Sequence, residues 1–202
     1  MVLVSYFSLG AGVILTATLA LSRRLQPNLS AADTLMTMWF VLCGFIHLFF
    51  EGYYAYNFSR MPSRLDLFGQ LWKEYSLSDS RYLTLDSFLV PMESVTALCW
   101  GPMSFACAAM IVGRHPLRHV FQTIISLGQL YGDVLYFGTS TFTMVVGGVD
   151  FCRPEMFYYW AYYFFCNAIW IVIPFGLVVS SSRAIEKAIA RVQMLDGEKK
   201  GQ

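Results

Sequence analysis

The chain has 202 residues, of which 56% are hydrophobic and 13% charged, with a formal net charge of +1. Soluble domains carry about 25% charged residues, so a chain this apolar cannot be hidden in one small water-soluble core. A net charge so near zero excludes nucleic acid and other polyanions as partners held by bulk electrostatics.

The apolar residues fall into five blocks, 2–22, 34–57, 86–112, 118–140 and 157–180, each close to the roughly 20 residues that cross a bilayer as a helix. They predict an all-α, polytopic membrane protein with five transmembrane helices. The first block, VLVSYFSLGAGVILTATLAL, has no charge. Its end, ATLALS, resembles a cleavage site, but no basic start precedes it and it exceeds the roughly 7–15 residues of a signal-peptide core. A retained first span and a short loop are expected over residues 1–33. The second block holds GFIHLFFEGYYAYN, in which His47 and Glu51 stand four apart in an otherwise apolar and aromatic run.

The connection 58–85 contains LFGQLWKEYSLSDSRYLTLD, which suits a short interfacial helix or lid, or an ordinary amphipathic loop. The third block carries Glu93, with Pro91 placed to bend the helix, and the fourth carries Asp133. The connection 138–157 has no recognisable motif. The fifth block opens with FYYWAYYFF, an interfacial aromatic belt, and continues to Asn167 and Trp170; a basic tail, 179–202, follows. Cys43, Cys99, Cys107, Cys152 and Cys166 show no metal-ligand spacing and read as small buried residues. The sequence has no phosphate-binding glycine loop, nucleophile elbow or zinc motif, so neither a cofactor nor a metal is expected.

Basic residues orient the spans. Arg23, Arg24, Arg114, Arg118, Arg183, Lys187, Arg191, Lys199 and Lys200 fall on one side, and Arg60, Arg64, Lys73, Arg81 and Arg153 on the other. The first set places the C-terminus in the cytosol. The ending KKGQ fits a dilysine retrieval signal of the endoplasmic reticulum, or simply a solvated basic tail. The sequons at Asn28 and Asn57 fall on the cytosolic side and at a span end, so neither is expected to carry a glycan.

An ionisable group in hydrocarbon is costly and usually faces a bundle interior or a wet cavity. Measured from the face bearing the 58–85 connection at 1.5 Å per residue, Glu51 lies about 9 Å deep, Asp133 about 10 Å, Glu93 about 11 Å, His47 and Asn167 about 15 Å, and Trp170 about 20 Å. All share one half of the bilayer. His47 with Glu51, Glu93 with Thr96, and Asn167 with Trp170 are each spaced to share a helix face. Taken alone, Asn167 reads equally as interhelical glue, Trp170 as a packing aromatic and Asp133 as structural. Two glutamates and a histidine in one layer point to chemistry.

The motifs CGFIHLFFEG, LWKEYSLSDSRY, PMESVTALCWGP, GRHPLRH, GQLYGDVLYF and NAIWIVIPFG, in this order over residues 34–178, resemble the emopamil-binding protein family of sterol Δ8–Δ7 isomerases (EXPERA domain). The resemblance implies a five-helix bundle around a sterol-sized cavity and a cofactor-free shift of a ring double bond. It also implies residence in the endoplasmic reticulum membrane, with catalytic residues His47, Glu51, Glu93, Asn167 and Trp170. Thr96, Tyr75, Asp79, Arg81 and Tyr82 match positions supporting the pocket. On this basis His47 and Glu51 deliver and recover protons, Glu93 stabilises a cation, Trp170 adds about 2 kcal/mol of cation–π attraction, and Asn167 and Thr96 hold the carboxylates by hydrogen bonds.

Expected partners are a sterol, membrane lipids and lipophilic amines that mimic the cation, without nucleic acid; a homodimer or a complex with other sterol enzymes is left open. Since one fold serves several functions, two other readings stand beside the isomerase. One is a non-catalytic binder of sterols or cationic amphiphiles; the other is an isomerase or cyclase of another terpenoid.

Overall fold

The computed structural model describes residues 2–200, with the side chains of Lys199 and Lys200 left out, so the lysine side chains and the last two residues of the KKGQ ending lie outside what is described. The described part is helical, without strands. Helix α1 is Val2–Leu25. Helix α2 (31–57) begins at Ser30, whose hydroxyl accepts the Asp33 N–H and so satisfies one of the free donors of the first turn. Helix α3, Leu67–Tyr75, is capped likewise by Asp66. Helix α4 is Leu89–Val112. Helix α5, Arg118–Gly147, ends at Gly148, whose φ of 65° supplies the left-handed turn that glycine adopts without strain. Helix α6 (158–200) closes the chain.

Among the described residues, four helices are long and apolar enough to cross a membrane: Val2–Leu25, Ala31–Ser63, Leu89–Val112 and Tyr158–Glu198. This multi-pass membrane protein thus differs from the five-span expectation at α5. That helix has 30 residues, or about 45 Å at the helical rise, so length is not the cause. Its buried face consists largely of Gln122, Ser126, Gln129, Asp133 and Ser140, which lowers its hydropathy. It nevertheless runs the length of the bundle. Arg118 at its start pairs with Asp33 at 2.7 Å, and just past its end Phe151 accepts the Ser80 N–H at 3.0 Å.

Three of these helices are not α-helical throughout. Ile46–Glu51 in α2, Thr96–Trp100 in α4 and Tyr158–Cys166 in α6 are wound as π-helix, the wider winding that recurs at functional sites. In α4 the cause is legible. Pro102 has no N–H to give the carbonyl four residues earlier, so the winding loosens just before it. Pro91, expected to bend α4, instead sits in its first turn, where a missing N–H costs little.

The π turns of α2 and α4 pack against each other, and glycine sets their closeness. A Cβ on Gly101 would stand 2.9 Å from the backbone N of Leu48, which cannot swing aside. Gly101→Ala is therefore expected to lower stability by about 1–3 kcal/mol, measured by thermal unfolding in detergent. Gly10→Ala, with nothing within 4 Å of the added carbon, should show no such loss.

Two apolar clusters form the core. One contains Tyr54, Trp72, Tyr82, Leu89, Tyr136 and Tyr163, the other Phe40, Cys107, Ile111, Ile125 and Leu177. Along α2, α4, α5 and α6 the residues between these clusters include His47, Glu93, Gln129 and Asn167, all buried. Large apolar side chains such as Leu98, Val172 and Phe142 face outward, as lipid allows. Cys43 and Cys107 are buried as expected, whereas Cys99 faces out.

Cavities of about 310 and 420 Å³ lie at opposite ends of the bundle, and neither is lined by His47, Glu51, Glu93, Asn167 or Trp170. Trp170 packs at a tilt against His47, and Trp39 against Trp170, with ring centroids 4.9 and 5.1 Å apart.

Candidate active site

Glu51 is the one predicted acid with a histidine in reach. Its Oε2 lies 2.8 Å from His47 Nδ1, joining successive turns of α2, and His47 is 3% exposed. The other ring nitrogen, Nε2, meets the Gln129 amide nitrogen of α5 at 2.9 Å. An imidazole held on both nitrogens has its ring plane fixed, which is what a proton relay between neighbours requires. The indole of Trp170 covers one side of this ring. Glu93 of α4 is 4% exposed and close enough to Glu51 for the two carboxyl groups to interact by charge. Its Oε1 accepts a hydrogen bond of 2.8 Å from the Tyr82 hydroxyl.

The connection over this layer is a folded lid. Leu71 and Trp72 of α3 are buried, and the Trp72 indole N–H donates to the Phe50 carbonyl at 3.0 Å. Tyr54, Trp72, Tyr75 and Tyr82 pack ring to ring beneath it. Burial, and then the neighbouring Glu93 charge, push the Tyr82 hydroxyl well above its ordinary pKa, and burial raises Tyr75 likewise. Both remain neutral hydrogen-bond donors.

Asp79 and Arg81 sit one layer away. Arg81 Nη2 lies 2.6 Å from Asp79 Oδ2, with the pair 3% and 0% exposed. Arg81 Nη1 donates to Thr139 Oγ1 of α5 at 3.0 Å, and the guanidinium stands 5.1 Å from the Tyr136 ring centre. Burial works against its charge, but hydrogen bonds and attraction to Asp79 prevail and hold Arg81 above its ordinary pKa. The pair ties the lid to α5 and touches neither glutamate.

The predicted residues thus divide by what they meet. His47, Glu51, Glu93 and Trp170 converge, and Tyr82 joins them through Glu93. Asn167 does not hold a carboxylate. Its Nδ2 donates to the Tyr163 carbonyl at 2.6 Å and to the Tyr75 hydroxyl at 3.0 Å, fastening the lid to α6. Thr96 donates to the Met92 carbonyl at 2.9 Å, within its own helix. Gln129 was absent from the sequence-based set. Its signal was its place four residues before Asp133, on the same face of α5.

A family model described as EXPERA (expanded EBP superfamily) matches residues 67–181. Over 188 residues the chain is 42% identical to the 3-beta-hydroxysteroid-Delta(8),Delta(7)-isomerase of Mus musculus, covering 93% of this chain and 80% of that protein. It is 40% identical to the Rattus norvegicus isomerase of the same name, with the same coverage. The protoglabretal synthase of Citrus sinensis is 35% identical over 146 residues, 72% of this chain and 67% of that one. On this evidence of sequence, the chain belongs to the EXPERA (expanded EBP) superfamily.

Proposed function

We propose that this chain is an intramembrane sterol isomerase that moves a ring double bond from the 8(9) to the 7(8) position at the His47–Glu51–Glu93 layer, without a cofactor. The observation that carries the reading is the 2.8 Å contact between His47 and Glu51, with a second carboxyl group alongside on α4. An isolated alkene is a feeble base. Its π electrons take up a proton only from a positioned acid in a water-poor site, and an apolar site favours a protonated carboxyl group as that acid.

The π pair forms the new C–H bond at C9 and leaves a tertiary cation at C8. The C–H pair at C7 then becomes the new π bond, and its proton passes to a base, so no proton is gained or lost overall. The His47–Glu51 pair gives and takes these protons. Glu93 faces the cation as a carboxylate, steadied by the Tyr82 hydroxyl. The Trp170 face adds about 2 kcal/mol of cation–π attraction in a dry site. Asn167, Tyr75, Asp79 and Arg81 support the lid, and Thr96 lies beside Glu93 on α4; we assign residues 34–178 to this catalytic region. Lipophilic amines are expected to inhibit, because an ammonium resembles the cation.

The test is expression in cells lacking Δ8–Δ7 isomerase, with sterols profiled by mass spectrometry. Conversion of Δ8 to Δ7 sterols is expected. Persistent Δ8 sterols despite good expression would favour a binder of sterols or cationic amphiphiles. The likeness to a plant synthase favours one further reading, a terpenoid substrate, and supplying triterpenoids to the same cells separates the two. Residence in the endoplasmic reticulum, with the C-terminal tail in the cytosol, is supported by the family resemblance and by the distribution of basic residues. Protease protection of a tagged tail in sealed microsomes tests it.

A further inference from the structure

Helix α5 carries a polar feature that the isomerase reading leaves unused. Gln122, Ser126, Gln129, Asp133, Tyr136 and Ser140 are buried along it, at alternating steps of four and three residues that keep them on one face. A helix packed among others normally gives that face to apolar side chains. Ser126 Oγ, Gln129 Oε1 and Asp133 Oδ2 have no hydrogen-bond partner among the described residues, although these residues are only 0%, 6% and 8% exposed. Buried polar atoms are nearly always satisfied, and where protein supplies no partner, ordered water does.

The row has two functional ends. Gln129 contacts His47 Nε2 at 2.9 Å and lies beside the Cys43 thiol. Asp133 follows one turn later, and then Tyr136, whose hydroxyl faces Tyr75 and Asp79 and whose ring lies against Arg81. Arg81, Asp86 and Thr139 line the cavity of about 310 Å³ at that end of the bundle.

We propose that Gln129 and Asp133 hold a short file of internal water carrying protons between this cavity and the His47–Glu51 pair, with Asp133 as its titrating member. The proposal rests on the isomerase reading. One proton is added to the ring and one is removed, so a donor ends deprotonated and an acceptor protonated. Where these are different groups, a proton must pass back before the next turnover. Asp133 accepts a proton from water on one side and releases one to water on the other, inward to the spent donor and outward from the protonated acceptor. Each turnover thus leaves the proton count of the site unchanged and consumes no other reactant. Asp133 is in this sense a positioning residue, acting through the pair rather than on the sterol.

The test uses the full chain in lipid nanodiscs and has two readouts. In hydroxyl-radical footprinting, Tyr136 (2% exposed) is expected to be oxidised several times faster than Met61 (0% exposed), since radicals form in adjacent water. Asp133→Leu should bring Tyr136 down to the Met61 rate. Equal protection of both in the unaltered protein overturns the water file. In turnover assays, Asp133→Leu is expected to lower kcat roughly tenfold, with KM unchanged and Tm raised, while Asp133→Glu restores most of the rate.

Solvent deuterium should appear in the product of the unaltered enzyme. Wild-type kcat in the Leu variant overturns the relay, as does a parallel fall in kcat and Tm without rescue by Glu. If the unaltered protein isomerises nothing, the isomerase reading fails and footprinting alone decides whether the file exists.

Discussion

Glu51→Gln and Glu93→Gln are each expected to cut turnover by roughly a thousandfold while leaving the protein folded. Glutamine keeps the shape of the side chain and can still face His47 at position 51 or accept from Tyr82 at position 93, so packing is preserved. It cannot release a proton, and it cannot carry the negative charge that a neighbouring cation needs. The two variants should differ in detail. Loss of Glu51 removes proton delivery, whereas loss of Glu93 also weakens binding of lipophilic amines. Rates measured on purified variants with a Δ8 sterol, beside amine competition, check both. Full rate in both variants would remove the acid and cation roles assigned here. Thr96→Val, whose hydroxyl bonds only within its own helix, should be milder than either.

Arg81→Ala should be the most destabilising single change in the lid. It leaves Asp79, 0% exposed, as an uncompensated buried charge and removes the Arg81 bond to Thr139. Breaking a buried pair from one side costs about 3–5 kcal/mol, enough to release the lid from α5. Thermal unfolding in detergent should show the loss, with amine binding falling in parallel because Tyr82 no longer reaches Glu93. The double change Asp79→Leu with Arg81→Met should recover much of the stability, since removing both charges leaves neither stranded. A double variant no more stable than Arg81→Ala would locate the cost in the Arg81 contacts with Thr139 and the Tyr136 ring instead.

What could be seen in the sequence was whatever depends on spacing within one helix. His47 and Glu51 stand four apart, and four residues bring side chains together on the narrow or the wide winding alike, so their contact was foreseeable. Glu93 and Asn167, expected at similar depths from alternating spans, both lie buried between the two apolar clusters. Partners across helices were harder. Gln129 touches His47 from 82 residues away, and no local pattern encodes that distance. Asn167 was expected on a carboxylate and instead fastens Tyr75, because the lid folds deeper between the helices than an amphipathic loop need do. The five-span count faltered at α5 because hydropathy scores a residue without knowing which way it faces, and the inward polar row weighs down the whole helix.

The wide turns at 46–51 and 96–100 bear on how this protein can tolerate change. Each places an extra residue in the winding, so the segments before and after it are offset by about 100°, the rotation of one helical step. Removing any one residue from 46–51 would let the winding tighten to the common form, with every contact on one side of the cut swung out of register. Length, and not only chemistry, is therefore constrained at these two places, and single-residue deletions there should be far less tolerated than substitutions.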